Sequence, residues 1–168
     1  MRILGVDPGL AATGYAVVEG SGRSPVVVEA GCVRTSPGAL LQARLGDIYE
    51  SLRAVLERWR PEAVVLEGLY SEYRFPRAAI TVGAVRGVVL LACGQAGAQV
   101  QEVAPAELKQ ALTGSGRAPK QQMRRAVASM LGLPTPPSSS HIADAMALGV
   151  VGLMRASGVG PARIGRGR

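Results

Sequence analysis

Short apolar runs separated by turn signals open the chain. Arg2–Asp7 is apolar between its two charged ends and is followed at once by Pro8-Gly9. A short apolar run that stops at a turn signal is typical of a strand inside a sheet. Two further strands are predicted at Gly14–Glu19 and Pro25–Arg34, the second of which is rich in β-branched valine. The chain therefore begins with three consecutive strands.

Helical periodicity appears after these strands. Leu40–Arg60 repeats apolar residues at intervals of three and four, which places them on one helical face, and Pro61 ends the helix. Two more strands are predicted at Glu62–Glu67 and Gln99–Val103. The remaining predicted helices are Ala78–Ala96, Pro105–Thr113, Pro119–Leu131 and Ile142–Ala156.

The order of these elements indicates the fold class. Consecutive strands favour an antiparallel meander, and strands that alternate with helices favour added parallel strands. We therefore expect an α/β fold with a mixed five-stranded sheet and helices on both faces. Residues 1–157 fit a single domain. Residues 158–168 carry three arginines among glycines, which predicts a basic, disordered tail.

The segment Ala78–Ala98, which includes the predicted helix Ala78–Ala96, is the longest weakly polar stretch of the chain. Arg86 near its middle and four glycines argue against a membrane span. Ala79, Gly83 and Gly87 share one helical face, where another backbone can approach closely. We expect a buried helix whose small-residue face packs tightly on the sheet.

Charge adds a class of partner to this picture. The 168 residues carry 19 Lys and Arg against 12 Asp and Glu, a formal net charge of +7. This excess favours a polyanion, either a nucleic acid or an anionic membrane surface. No stretch has the form of a signal peptide or a membrane span. We therefore expect a cytoplasmic protein that does not associate with a membrane. Cys32 and Cys93 lack the spacing of a metal motif and are expected to be reduced, buried thiols.

One aperiodic segment concentrates aromatic and basic residues. Gly68–Arg77 holds three of the chain's six aromatic residues together with two arginines. It has neither a helical nor a strand period, so we predict a mobile loop. Its aromatic and basic residues are Tyr70, Tyr73, Arg74, Phe75 and Arg77.

Three carboxylates occupy positions at the ends of predicted elements. Asp7 and Glu67 each end a strand, and Asp144 lies at the start of the last helix, three residues after His141. The two strand-end carboxylates meet if their strands are neighbours in the sheet. Two structural explanations stay open: Asp7 caps the Pro-Gly turn, or Asp144 interacts with the helix dipole.

The chemistry of these acids matches the charge of the surface. Carboxylates are hard oxygen ligands that suit Mg²⁺ or Mn²⁺, and two such ions about 4 Å apart activate a water and stabilise the leaving oxygen of a phosphodiester. A basic surface would hold a nucleic acid while an acidic pocket cuts it. A basic surface together with an acidic pocket indicates a nuclease more specifically than either feature alone.

The sequence resembles the RuvC family of Holliday-junction resolvases over nearly its whole length. Ordered blocks carry the resemblance: LGVDPGLAATGYAVVE at 4–19, GCVRT at 31–35, AVVLEGLY at 63–70, AVRGV at 84–88, APAELKQALTGSGRAPKQQM at 104–123 and HIADAMALG at 141–149. The resemblance implies a ribonuclease-H-like fold and a homodimer. It implies a metal-dependent endonuclease with two ions per site that nicks opposed strands of a four-way junction in recombination and repair, together with the RuvA–RuvB branch-migration complex.

Residues transfer from the family by position. Asp7, Glu67 and Asp144 match its catalytic, metal-binding acids. Tyr70 matches an aromatic associated with base stacking near the junction centre. Lys109 and Lys120 match lysines near the scissile phosphate, although a solvated helix face is the alternative for both. The other expected DNA contacts are Tyr73, Arg74, Arg77, Arg117 and Arg124.

His141 departs from the family pattern. Members of the family carry Asp-x-x-Asp at the start of the last helix, and this chain has His141-Ile142-Ala143-Asp144. A neutral imidazole is a competent metal ligand, so we expect His141 to join the catalytic metal site.

Two other functions fit parts of the sequence. An actin-like or sugar-kinase ATPase also begins with a strand and a Gly-x-Asp-x-Gly loop, but it needs two such lobes, and this chain has one. A non-catalytic basic nucleic-acid-binding module explains the net charge but not the three placed acids.

Overall fold

The computed structural model describes residues 1–68 and 76–158, apart from the side chains of residues 76–78. The predicted mobile loop and basic tail fall largely outside this part, as do Tyr70, Tyr73, Arg74 and the side chain of Arg77. The described elements are β1 (Arg2–Asp7), β2 (Ala12–Ser21), β3 (Ser24–Arg34), α1 (Leu41–Trp59), β4 (Ala63–Glu67), α2 (Pro76–Gln95), β5 (Gln99–Val103), α3 (Pro105–Thr113), α4 (Lys120–Met130) and α5 (Ser140–Ala156).

The predicted order of elements is confirmed, and β2 and α5 are each at least two residues longer than predicted. β2 extends two residues further at each end, because it pairs with β3 from Ala12 to the tight turn between Ser21 and Ser24. α5 starts two residues earlier, where Ser139 is the N-cap and its hydroxyl accepts a hydrogen bond from Ile142 N. Ser, Thr, Asp and Asn are the residues that best satisfy free N–H groups at this position.

The five strands form one mixed sheet in the order β3-β2-β1-β4-β5. β1, β2 and β3 pair antiparallel, and β4 and β5 add to the β1 edge as parallel strands. The register pairs Val6 of β1 with Leu66 of β4. The next residues in these strands are Asp7 and Glu67, so the two strand-end carboxylates are neighbours.

Alternation along the strands divides the core into two layers. Ile3, Ala63 and Val65 pack in one cluster with α3, α4 and α5. Leu4 and Leu66 pack in the other cluster with α1 and α2. Because side chains alternate between the faces of a strand, odd-numbered positions of β1 and β4 face α5. That assigns Asp7 and Glu67 to the α5 side.

α5 is buried around nearly its whole circumference. Every residue from 145 to 154 is buried, so no side of the helix is exposed over this stretch. The helix backbone touches the sheet: a Cβ on Gly5 would lie 2.0 Å from Ala145 O, and a Cβ on Gly14 would lie 2.1 Å from His141 O. Small residues allow this approach, and they do not stand out in an apolar periodicity.

α2 is more exposed than the sequence predicts. Val85, Val89 and Cys93 pack in the core, but Ile80 is 72 % exposed and Leu91 is 55 % exposed. Gly83, Gly87 and Gly94 have no neighbouring atom within 4 Å of an added Cβ. The small-residue face therefore points away from the sheet, and the expectation of a fully buried helix is wrong.

The expectations about a membrane span and about the two cysteines can be compared with the structure. No helix among the described residues is long and apolar enough to cross a membrane. Both cysteines are free thiols. Burial raises the pKa of the Cys93 thiol to about 11, whereas Cys32 is only partly buried, which corrects its predicted burial.

The contact between Gly5 and α5 allows a test of stability. We expect Gly5→Ala to lower the free energy of unfolding by about 3 kcal/mol or more, because the added methyl group meets helix backbone that cannot move aside. Gly46→Ala on exposed α1 is the control and should be neutral or stabilising by about 0.5–1 kcal/mol. Denaturant unfolding measures both, and equal stability of the two variants would contradict this packing.

Candidate active site

The turn after β1 leaves the Asp7 carboxylate free for the site. Thr13 is fully buried, and its hydroxyl donates to Gly9 O at 2.8 Å and accepts from Gly9 N at 3.3 Å. The Asp7 side chain instead contacts His141, with 2.7 Å between Oδ2 and Nδ1. The Pro-Gly turn is therefore stabilised by Thr13, which disfavours the turn-capping explanation of Asp7.

The beginning of α5 brings His141 and Asp144 beside the strand ends. Gly14 lies against His141, so the first turn of α5 is pressed onto β2, the neighbour of β1. Asp144 is the fifth residue of α5, and the first turn has no acidic residue. Ser139 caps the helix. The helix-dipole explanation of Asp144 is weakened, since that effect is confined to the first turn.

Glu67 and Asp144 share a small pocket with two lysines. The cavity measures about 160 Å³. Lys120 Nζ lies 3.9 Å from Asp144 Oδ2. The lining residues are Glu67, Pro105, Leu108, Lys109, Lys120, Met123, Asp144 and Leu148. The pocket therefore combines acidic, basic and apolar walls, and α3 and α4 each supply one lysine.

The three carboxylates lie near enough to one another for their charges to interact. Burial raises the pKa of Glu67, and the charges of Asp7 and Asp144 raise it further, against the opposing effect of Lys120 and Lys109. Burial also raises the pKa of Asp144, as does Asp7, while Lys120 and His141 act in the other direction. Like charges in a poorly solvated place disfavour full ionisation. Such a group gains stability from a cation.

The donor set fits a divalent cation by its chemistry. Asp7, Glu67 and Asp144 offer hard oxygen atoms, and His141 offers an imidazole. Within residues 1–68 and 79–158, no three His, Cys, Asp or Glu side chains form a ready-made ligand group. The four side chains thus lie near one another, but they are not arranged as the ligands of a single ion.

The expected DNA-contacting residues that the structure describes lie in three different surroundings: the pocket, an exposed turn and the loop before α5. Lys109 and Lys120 line the pocket. Arg117 is exposed in the turn between α3 and α4. Arg124 Nη2 donates to the backbone carbonyls of Pro137 and Ser138, so this guanidinium holds the loop that leads into α5.

Sequence reasoning missed two residues that support the site. Arg86 is only 6 % exposed, and its Nη1 donates to the main-chain oxygen of Glu67 at 2.7 Å. Thr13 supports the turn after Asp7. The available signal for Arg86 was a lone charge within an apolar helix, since a buried charge requires a partner. The partner itself could not be found without the fold.

Comparison with known structures identifies the class of the fold. The chain superposes on the yeast mitochondrial Holliday junction resolvase Ydc2 with a TM-score of 0.65, over 94% of this chain and 79% of that chain. The sequence identity is 12%, so this likeness concerns the fold alone. The protein has the ribonuclease-H-like fold of the junction resolvases.

Closer relatives identify the family. The family model of crossover junction endodeoxyribonuclease RuvC matches residues 3–152. The RuvC protein of Pelotomaculum thermopropionicum is 43% identical over 150 residues, which are 89% of this chain and 91% of that protein. Thermus thermophilus RuvC in complex with a Holliday junction substrate superposes with a TM-score of 0.89 at 36% identity, over 95% and 97% of the two chains. The chain belongs to the RuvC family of crossover junction endodeoxyribonucleases.

The raised pKa values predict a pH-dependent stability. A carboxyl that binds its proton more tightly in the folded state loses stability as pH rises from its ordinary pKa through its raised folded pKa. In EDTA at neutral pH, Asp144→Asn should therefore unfold at a higher temperature than the wild type. The difference should shrink as pH falls below the folded pKa of Asp144.

Asp47→Asn is the matched control for this measurement. Asp47 is exposed on α1, so its substitution should shift the unfolding temperature little at any pH. A difference between wild type and Asp144→Asn that stays constant with pH, or has the opposite sign, would contradict the electrostatic account.

Proposed function

We propose that this protein is a metal-dependent endonuclease that resolves four-way DNA junctions by paired nicks in opposed strands. The observation that carries the proposal is the gathering of Asp7, Glu67, His141 and Asp144 at one edge of the sheet. Membership of the RuvC family supports the reaction and the substrate. The junction bound by the Thermus relative supports the same substrate class.

We propose that Asp7, Glu67 and Asp144 hold two Mg²⁺ or Mn²⁺ ions. When bound, such ions supply an activated water and stabilise the leaving oxygen of the phosphodiester. Asp7 and Glu67 lie on adjacent strands and Asp144 on the facing helix, so the site is assembled from three separate elements.

His141 completes this ligand set in the proposal. Its Nδ1 faces Asp7 Oδ2 at 2.7 Å, and a neutral ring that donates through Nδ1 keeps the lone pair of Nε2 free for a cation. Hydrogen bonding of the far ring nitrogen to a carboxylate is the usual support of a histidine ligand.

Basic residues around the pocket would bind the DNA backbone. Lys109 and Lys120 line the pocket beside Glu67 and Asp144, and we propose that they contact the phosphate being cut. Arg117 and Arg124 flank them on the same two-helix segment. We propose that Tyr70 stacks on bases near the junction centre and that Tyr73, Arg74 and Arg77 add further contacts, as the family resemblance implies.

We propose a homodimer built on the outer face of α2. Ile80, Leu90 and Leu91 are exposed apolar residues on this helix, and three glycines on the same face leave its backbone open to a partner. A symmetric dimer presents two equivalent sites, as paired nicking of opposed strands requires. Cooperation with a RuvA–RuvB complex rests on the resemblance alone.

Substitution of the three acids tests the proposed reaction. Asp7→Asn, Glu67→Gln and Asp144→Asn should each cut a labelled four-way junction at least about 100-fold more slowly, since even outer partners of a metal site contribute about 10–100-fold. Junction affinity measured with Ca²⁺ should be retained, because phosphate binding depends on Lys and Arg. Asp47→Asn should cut as fast as the wild type.

Three results would contradict this function. One is near wild-type cleavage by any of the three acid variants. Another is a monomer that binds duplex and junction equally well. The third is junction binding by the wild type without any divalent-dependent cleavage, which would instead favour a non-catalytic binding module.

Exchange of His141 tests the choice of metal. Imidazole suits Mn²⁺ better than Mg²⁺, which prefers oxygen ligands. The wild type should therefore be markedly more active with Mn²⁺, and His141→Asp should narrow the ratio of the two rates. Junction nicking rates with each metal measure this ratio, and an unchanged ratio in the variant would exclude His141 as a ligand.

A further inference from the structure

Arg86 is a buried charge that the proposed reaction does not use. It lies in α2 and is 6 % exposed. It projects from the inner side of the helix, whereas Gly83, Gly87 and Leu91 lie on the outer side. A guanidinium stays charged at any relevant pH, and burying it is unfavourable unless its donors are satisfied.

The partners of Arg86 lie at the end of the strand that carries Glu67. Its Nη1 donates to the main-chain oxygen of Glu67 at 2.7 Å. Its Nη2 forms an ion pair with the carboxylate of Glu102, without the geometry of a regular hydrogen bond. Glu102 pairs in register with Leu66, the residue before Glu67. One side chain thus joins the last residues of β4 to the edge strand β5.

The two faces of the sheet separate Arg86 from the acidic pocket. Leu66 packs with α1 and α2, so the neighbouring Glu67 side chain points to the opposite face, where the pocket lies. Arg86 therefore contacts the Glu67 backbone from the α2 face of the sheet and does not enter the pocket. Its contact can fix the main chain from which the carboxylate projects.

The other contacts at this strand end come mainly from the sheet, in which β4 pairs with β1 on one side and with β5 on the other. Gly68 N donates to Val103 O at 2.8 Å and continues the β4–β5 ladder by one bond. Arg155 from α5 donates to Glu102 O at 2.9 Å. Because β5 is the edge strand, it has no further strand to support it. Within residues 1–68 and 79–158, Arg86 attaches the Glu67 backbone to the helix α2.

We propose that Arg86 is a positioning residue for the endonuclease reaction, acting through the main chain of Glu67. The proposal rests on the proposed function, since it assumes that the Glu67 carboxylate serves the reaction. Displacements of about 1 Å at a reacting group can reduce a rate by about 100-fold. Loss of Arg86 should therefore impair metal binding and cleavage while leaving the DNA-binding surface unchanged.

The chain offers a matched control in Arg2. Arg2 also donates to a main-chain oxygen, that of Trp59, and also forms an ion pair with a carboxylate, that of Glu19. It lies at the opposite end of β1 from Asp7. Arg2→Met removes the same kinds of contact far from the site, so it reports the effect of lost stability alone.

The experiment compares Arg86→Met, Arg86→Lys, Glu102→Gln and Arg2→Met with the wild type. Three quantities are measured: the single-turnover rate on a four-way junction, the junction Kd with Ca²⁺, and the rise in Tm caused by Mn²⁺ without DNA. Arg86→Met should cut about 10–100-fold more slowly, show a smaller rise in Tm with Mn²⁺, and keep its Kd within about twofold. Arg86→Lys should be intermediate, because one ammonium cannot serve both partners. Glu102→Gln retains the Glu67 contact and should stay close to the wild type.

The outcomes separate this inference from the proposed function. A wild type that does not cut junctions would refute the function itself. A wild type that cuts, with Arg86→Met equal to it in rate and metal response, would refute only the positioning role. So would an equal loss of rate in Arg2→Met. Should Arg86→Met fail to fold, Arg86→Lys decides: an unchanged rate and metal response overturns the proposal, and a reduction in both upholds it.

Discussion

The contact of α5 with the backbone of β1 and β2 is the constraint on which the rest of the structure depends. Gly5 and Gly14 leave no room for a side chain between strand and helix. Because of this approach, the first turns of α5 stand directly over the end of β1, and His141 reaches Asp7. A helix held a few ångströms further away would leave Asp7 without this partner. Packing of small residues thus determines the geometry of the charged ones.

The same constraint places like charges together at an energetic cost. Burial and mutual repulsion raise the pKa values of Glu67 and Asp144. Lys109 and Lys120 offset part of this cost, yet Lys120 is 80% exposed and 3.9 Å from its carboxylate. Solvent screens such a pair strongly. The site therefore keeps an excess of negative charge within a basic protein, which is the arrangement that a cation and a polyanion bound side by side require.

The strands and the shorter helices could be predicted from the sequence because their signals are local. Gln99–Val103 and Pro105–Thr113 match the structure residue for residue, the latter because proline begins the helix and glycine ends it. The two strand-end acids could also be predicted, since a carboxylate that ends an apolar run has a defined place once the sheet order is known. The surroundings of α2 and α5 could not. Apolar periodicity shows that a face avoids water, but it does not say whether sheet, helix or partner covers it.

Arg86 shows a second limit of prediction from the sequence. It also connects the strand that carries Glu67 with the helix α2. Its burial requires a partner, but the carbonyl of Glu67 carries no sequence signal, because every residue has one. In the fold, the inner side of α2 holds the backbone of Glu67 and the outer side presents the exposed apolar stripe that contains Ile80 and Leu91. A helix of this length is stiff along its axis. If two copies meet through the outer stripe, as proposed, the spacing of their two Glu67 strands is set by one rigid element in each copy, and this spacing decides which two phosphates of a junction can be cut together.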